Sequence, residues 1–276
     1  MRDSYGKTSV IVLLLTLFFS VPVAAQNYWL HPGSDNSVSL EMFKPKFDED
    51  LSLGTLSTVW FLSGHIRAGD RLTVVLEMPI SNIDWDTPLG EDQTLFGNPY
   101  IGIEGRAQLV AGSRYFVGRL GFRPPVASDD KFGAVEFGLL TTYHRFEAYF
   151  PDLITIYGSG GIEHFFPSGT NYGVTVGGAL MIPTEDGGDS ELFIDYSVQF
   201  KFPLDQFELG AGFAGRMLAT EGDLSFGERT IHQLGVMGNM HFGNFRPGLH
   251  LRIPLDDDLT EVLDYVYGFN LTMDIP

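Results

Sequence analysis

The stretch SELFIDYSVQFKF, residues 190–202, alternates without a break. Leu192, Ile194, Tyr196, Val198, Phe200 and Phe202 fall on one side; Phe193, Asp195, Ser197, Gln199 and Lys201 fall on the other. A period of two marks a strand with two unlike faces. In a soluble sandwich the apolar side packs on a protein core. In a transmembrane barrel it faces lipid, and the polar side faces the lumen. The rest of the chain has to decide between the two.

Bulk properties lean toward the membrane. Of 276 residues only 19% are charged, against about 25% in soluble domains, while 13% are aromatic and 33 are glycine. The balance of 35 acidic and 17 basic residues, a formal charge of -18, argues against nucleic acid as a partner. With no cysteine, disulfides, thiol nucleophiles and thiolate metal sites are excluded. Arg2 and Lys7, the apolar run VIVLLLTLFF (Val10–Phe19) and the small residues of SVPVAAQ have the order of a secretory signal peptide. A cleaved leader over 1–25 and a mature domain over 26–276 are therefore expected. The apolar run is short for a membrane helix, which needs about 20 residues. No later stretch is long enough either, so an exported membrane chain of this kind must cross as a closed barrel.

Strand-like segments follow near 37–45, 54–67, 70–82, 95–108, 113–124, 153–166, 171–183, 190–203, 205–219, 228–242, 244–255 and 261–274. About 12 strands is an even number, as single-chain outer-membrane barrels have. Short connections (RAGD at 67–70, PSGTN at 167–171, GN at 243–244) alternate with longer, mostly acidic ones such as SNIDWDTPLGEDQT (81–94) and LDDDLT (255–260). That is the rhythm of periplasmic turns and external loops. Phe166, Tyr172, Phe202, Phe207, Phe242 and Phe245 flank short turns, and Phe96, Tyr265 and Tyr267 lie near long ones, as two interfacial girdles would. The predicted fold is all-β: an antiparallel up-and-down transmembrane barrel with a short helix in one external loop, placed in the outer membrane.

Charge follows the same parity. In RLTVVLEMPI (71–80) Leu72, Val74, Leu76, Met78 and Ile80 oppose Arg71, Thr73 and Glu77; FRPGLHLRIPL (245–255) and LDYVYGFNLTM (263–273) repeat the division. A lysine or arginine facing lipid at the midplane costs about 2–4 kcal/mol. The inward set then contains Glu77, Glu104, Glu163, Asp195, Glu208 and Asp264 together with Arg71, Arg106, Arg119, Arg123, Lys201, Arg216 and Arg252. Such groups must pair or be hydrated. They form either an ion-pair network sealing the barrel or the wall of a pore. His164 and His232 fall on the apolar side, at an interface or held neutral.

One segment departs from the pattern. PVASDDKFGAVEFGLLTTYHRFEAYFPD (125–152) is too long for an ordinary loop. Val135, Leu139, Tyr143 and Phe146 carry helical spacing, Asp130 is placed to cap the start and Pro151 to stop the end. The expected form is a short helix folded into or over the external mouth, with His144, Arg145 and Glu147 as the constriction; an extra hairpin is the alternative. HExxH, GxSxG and phosphate-loop motifs are absent. EHFFPSGTN (163–171) only loosely resembles the His–Ser pair of barrel lipid hydrolases, and its spacing differs. The acidic pieces EDGGDSE and DDD (256–258) read as solvated charge rather than a cation site. Neither an enzyme, a cofactor nor a metal is expected.

With GNPYIGIE (97–104) opening a strand, the plan resembles that of bacterial outer-membrane β-barrels, in particular the channel-like proteins grouped with phenol-degradation outer-membrane components. The resemblance covers residues 37–274 in architecture alone. It implies outer-membrane lipid and lipopolysaccharide as surroundings and the barrel-assembly machinery as a partner. The chain ends TMDIP instead of on an aromatic, which leaves YGFNLTM (267–273) as the insertion signal. The function expected first is passive passage of small solutes, apolar or aromatic ones included. A sealed structural or binding barrel and a soluble periplasmic ligand-binding β-protein are the other readings.

Overall fold

The computed structural model describes residues 36–47, 56–85, 91–185, 188–221 and 224–275. The leader predicted over 1–25 lies outside them. The strands are β1 (Ser37–Phe47), β2 (Thr58–Arg67), β3 (Leu72–Ile83), β4 (Gln93–Phe96), β5 (Tyr100–Val110), β6 (Arg114–Arg123), β7 (Leu153–Phe165), β8 (Asn171–Pro183), β9 (Glu191–Leu204), β10 (Phe207–Leu218), β11 (Thr230–Met240), β12 (Phe245–Pro254) and β13 (Leu263–Asp274). Consecutive strands pair antiparallel, except that β3 pairs both β4 and β5, and β1 pairs β13 from Ser37↔Asp274 to Phe47↔Leu263, which closes the sheet. Twelve strands make the ring.

The four-residue β4 is the outer part of the segment read above as one strand over 95–108. β3 pairs β4 at Ile80↔Phe96 and β5 at Glu77↔Tyr100, so four steps on one strand oppose three on the other. Gly97–Pro99 is a bulge, the kind of irregularity that bends a strand beside a functional site.

The sides of the sheet sort as the parity requires. Leu62, Ile103, Leu120, Val176, Val236 and Leu249 are exposed on the outer wall. So large an apolar surface has no place on a soluble monomer, and lipid covers it. The soluble reading is thereby set aside. Phe166, Phe202, Phe207, Phe242 and Phe245 are exposed at the short-turn end; Phe96, Tyr265 and Tyr267 are exposed at the long-loop end.

Residues 125–152 supply the predicted helix, α1 (Phe132–Thr141), followed by a 3-10 turn over Tyr143–Ala148. α1 is buried through Ala134, Val135, Phe137, Gly138 and Thr141, with Phe132 and Glu136 exposed one turn apart. Its core partners are inward residues of the wall: Phe43, Phe47, Val59, Phe61, Ile83, Leu95, Leu263 and Val266. The segment therefore folds into the lumen. Asp130 does not cap α1. A 3-10 turn over Asp129–Lys131 leads into the helix, and the Asp130 carboxylate instead accepts a hydrogen bond from the Ser128 hydroxyl.

Two sequence expectations about facing are corrected. Asp264 is exposed, because the register shifts between Lys46 and Phe47 opposite it and Leu263 takes the inward place. Arg71 is exposed in the turn before β3, where only its carbonyl is used, accepting from the Arg106 amide. Neither lines the lumen.

Candidate functional site

The insertion hangs from the bulge. Asn98 is 0% exposed and serves both ends of the segment. Its Nδ2 donates to the carbonyls of Glu147 (3.0 Å) and Phe150 (2.7 Å), and its Oδ1 accepts from the amides of Val126 (2.7 Å) and Ala127 (2.8 Å). Its backbone amide donates to the Ala148 carbonyl, 2.6 Å away. Gly97 permits this approach, since a Cβ there would lie 2.2 Å from the Ala148 oxygen. Nearer the long-loop end, Ser81 on β3 donates to the Ala134 carbonyl, and Gln93 on β4 accepts from the Ala134 amide.

A charged chain then ties the plug across the lumen. Arg145 donates to Glu41 on β1 (3.1 Å) and to Glu77 on β3 (2.9 Å), and Arg123 on β6 takes the other oxygen of Glu77 at 2.5 Å. Arg123 also donates to the Tyr157 hydroxyl, which donates to Glu147 at 2.7 Å. Glu147 accepts from Arg216 on β10 at 2.5 Å, and Arg216 reaches Asp195 on β9, also at 2.5 Å. The guanidinium of Arg145 lies 3.7 Å over the Phe61 ring, an added attraction for a desolvated cation. Every charge in this chain is nearly or wholly buried, which is tolerable only because each is paired.

His144 accepts a hydrogen bond from Arg252 on β12 and is held neutral. Burial, and then the charges of Arg252, Arg145 and Arg216, push its pKa well below the usual histidine value. Burial pushes Glu147 upward, but Arg216, Arg123 and the Tyr157 hydroxyl outweigh it and hold the carboxyl below its usual range.

Toward the short-turn end the wall is polar and less tightly filled. Arg119 pairs with Glu104 at 2.6 Å and Arg106 with Glu163 at 3.0 Å. Glu208 accepts from Asn239. Lys201, 6% exposed, points inward and has no hydrogen bond or ion pair among the described residues. Between this zone and the plug lies a cavity of about 80 Å³ in which water centres can sit, bordered by Val117, Arg119, Tyr143, Gln199, Ile231 and Gln233. That is room for roughly five waters.

The structure thus brings His144, Arg145, Glu147, Glu77, Arg123, Asp195, Arg216 and Arg252 to one level, and Glu104, Arg106, Arg119, Glu163, Lys201 and Glu208 to another. Sequence reading missed Glu41, Asn98 and Tyr157. Glu41 shares its face with Ser37 and Ser39, a usable signal, but Phe43 and Phe47 stand on that face too and obscure it. The two outward histidines sit near opposite ends. His164 packs on Phe166 and Tyr172. His232 is held between Asp256 (Nδ1, 2.9 Å) and the Tyr196 hydroxyl (Nε2, 2.7 Å).

No family model and no curated protein matches the chain. Solved structures do. An outer-membrane channel from Pseudomonas putida F1 aligns with a TM-score of 0.60 at 10% identity, covering 91% of this chain and 100% of that one. The NanC porin aligns at 0.55 and 7% identity, with 87% and 100% covered. The translocator domain of the autotransporter NalP from Neisseria meningitidis aligns at 0.51 and 9%, with 98% of each covered. At such identities the likeness establishes the fold. The chain is a twelve-stranded β-barrel of the outer-membrane type.

Proposed function

We propose that the barrel is a passive, non-enzymatic outer-membrane channel for small solutes, narrowed by the 125–152 insertion and exported through the 1–25 leader for insertion by the barrel-assembly machinery. The observation that carries this reading is the division of the lumen. A polar, water-accommodating inner half leads up to a plug attached at one bulge and held by side-chain ion pairs. Tyr143, Val117 and Ile231 beside Gln199 and Gln233 suit a small solute with an apolar or aromatic body and a polar group. The channel and porin neighbours support the reading at the level of fold.

A sealed barrel is the second reading, favoured by the apolar packing of α1 against Phe43, Phe61 and Val266. Planar-bilayer conductance and liposome swelling separate the two. The channel reading expects small or intermittent flux from the wild type and large flux after deletion of 130–148. If neither protein conducts, the channel is lost and the sealed barrel remains.

A further inference from the structure

One row of the inner wall carries no charge. Val117, Gly161, Thr175, Ser197, Ala214 and Gln233 are register partners in turn across β6 to β11, and all of them border the cavity beneath the plug. Charges stand in the rows on either side, with Arg119, Asp195 and Arg216 toward the plug and Glu163 toward the short turns. Each of them is engaged: Arg119 by Glu104, Glu163 by Arg106, and Asp195 by Arg216. The remaining basic groups on the cavity come from the plug. Arg145 is held by Glu41 and Glu77, and His144 accepts from Arg252. Lys201, the next inward residue after Gln199 on β9, lies outside the lining and feels the opposed charges of Glu208 and Glu163.

Within this arc the groups left over are polar and neutral. Thr175 and Ser197 are cross-strand partners, and neither hydroxyl makes a hydrogen bond among the described residues. Gln199, one step nearer the short turns, borders the same cavity, and its buried Oε1 has no hydrogen-bond partner among the described residues. The neighbouring strands leave these side chains their room. A Cβ at Gly161 would lie 2.8 Å from the Thr175 Oγ1, and one at Gly173 would lie 3.2 Å from the Gln199 Nε2. A buried acceptor without a partner is costly, and a ligand that donates to it removes the penalty.

The rest of the uncharged lining is largely apolar. Tyr143 reaches it from the plug, its hydroxyl donating to the Gln233 Oε1 at 3.0 Å, and Val117, Ala214 and Ile231 complete it. Room for roughly five waters is about the volume of one substituted six-membered ring. We infer that this arc is a binding site for an uncharged, ring-sized diol, its hydroxyls on Thr175, Ser197 and Gln199 and its apolar face on Tyr143 and Ile231. The inference rests on the channel reading of the lumen and narrows the solute of that reading to one without charge. A carboxylate or an ammonium would be desolvated here with every opposite charge on the lining already engaged. A pair of hydroxyls donates to the Gln199 oxygen and exchanges hydrogen bonds with the Thr175 and Ser197 hydroxyls. Three neutral groups on neighbouring positions favour two such hydroxyls over one.

Ligand-observed NMR titration of the full chain in detergent, with empty micelles subtracted, tests it on three probes that share one ring: cyclohexane-1,2-diol, cyclohexanol and cyclohexanecarboxylate. Wild type should bind the diol roughly tenfold more tightly than either of the others. Thr175→Val and Gln199→Leu, each close in volume to the native residue, should each weaken the diol roughly fivefold and leave the carboxylate unchanged. Thr175→Ser should bind the diol as wild type does. Heat-modifiable gel mobility establishes that each variant is a folded barrel; if one of the two does not fold, the other is read together with Ser197→Ala. The inference is overturned by a carboxylate bound as tightly as the diol, by unchanged diol affinity in the folded variants, or by no probe binding beyond the micelle background, which leaves the cavity to water. Bilayer conductance is measured alongside. Diol binding in a barrel that does not conduct keeps the site and ends the channel; conductance without diol binding ends the site and keeps the channel.

Discussion

In the outer half of the lumen Arg145 is 2% exposed and touches carboxylates from two strands; in the inner half Lys201 is nearly as buried and touches none. Both are cations inside the same barrel. What separates them is how they are held. Arg145 is tied to two carboxylates by direct ion pairs, so removing it strands buried charge. Lys201 feels the charges of Glu208 and Glu163 without a direct ion pair to either among the described residues. One sheet thus carries a directly paired latch above a more loosely held cation, and the first should answer more strongly to mutation.

The largest effect is therefore expected at the latch. Arg145→Met leaves Glu41 and Glu77 facing each other with Arg123 alone to balance them. Removing one member of a buried pair costs about 3–5 kcal/mol. The temperature at which the barrel changes gel mobility should fall, and bilayer current should rise as the plug leaves. Glu147→Gln should act in the same direction, less severely, because the amide still accepts from Tyr157 or Arg216. A silent Arg145→Met would mean that apolar packing of α1 holds the plug and the ion pairs are incidental.

Asn98→Ala comes next. It removes four hydrogen bonds at the base of the insertion, and each buried group left unsatisfied costs about 1–3 kcal/mol. The ion pairs further in are untouched, so the plug should loosen at its ends before it is expelled. Limited proteolysis from the external side should cut within 126–150 in the variant and not in the wild type. Cleavage equal in both proteins would show that the base is already open.

Acidification should weaken the latch in two stages. The His144 pKa is depressed in the fold, so its neutral form contributes stability above the unfolded value near 6.5, and that contribution is lost as pH falls toward the folded value. The loss should begin as pH drops below about 6.5. Glu147, also depressed, adds a second loss below about pH 4.5. Conductance should rise across the first window in the wild type and stay flat there in His144→Gln. A wild type flat from pH 7 to pH 5 would remove His144 from the latch.

How far these features were legible follows from the range of the forces behind them. Strand positions were readable because lipid on one side and lumen on the other impose a period of two along each segment, as in 190–202. The helix within 125–152 was readable in place but not in extent: Val135 and Leu139 lie in α1, whereas Tyr143 and Phe146 fall in the 3-10 turn beyond it, and α1 ends at Thr141, well before the Pro151 expected to stop it. The break at Gly97–Pro99 was not, since it exists to admit the backbone of Ala148, about 50 residues away. Asp264 was misplaced by carrying parity through a bulge that only the pairing with β1 shows. Asp130 was misread because a 3-10 turn precedes α1, and no residue spacing reveals that. Glu41 and Tyr157 matter through Arg145 and Glu147, which reach them only once the plug has folded inward.

The smallest effect should come from Lys201. Lys201→Met removes a charge that no described residue engages by a direct hydrogen bond or ion pair, so stability should change by no more than about 0.5 kcal/mol. Gating should not change, because the plug lies beyond its reach. Its influence should appear only once ions flow, in the Asn98→Ala background or at pH 5, as a reversal potential shifted toward cation preference by a few-fold in permeability ratio. Glu163 and Glu208 would then dominate the vestibule, each already engaged by Arg106 or Asn239 and so less able to replace the lost cation's field. Should Lys201→Met instead lower the barrel's thermal midpoint as far as Arg145→Met does, the inner half is as tightly built as the outer, and the contrast between the two halves of the lumen fails.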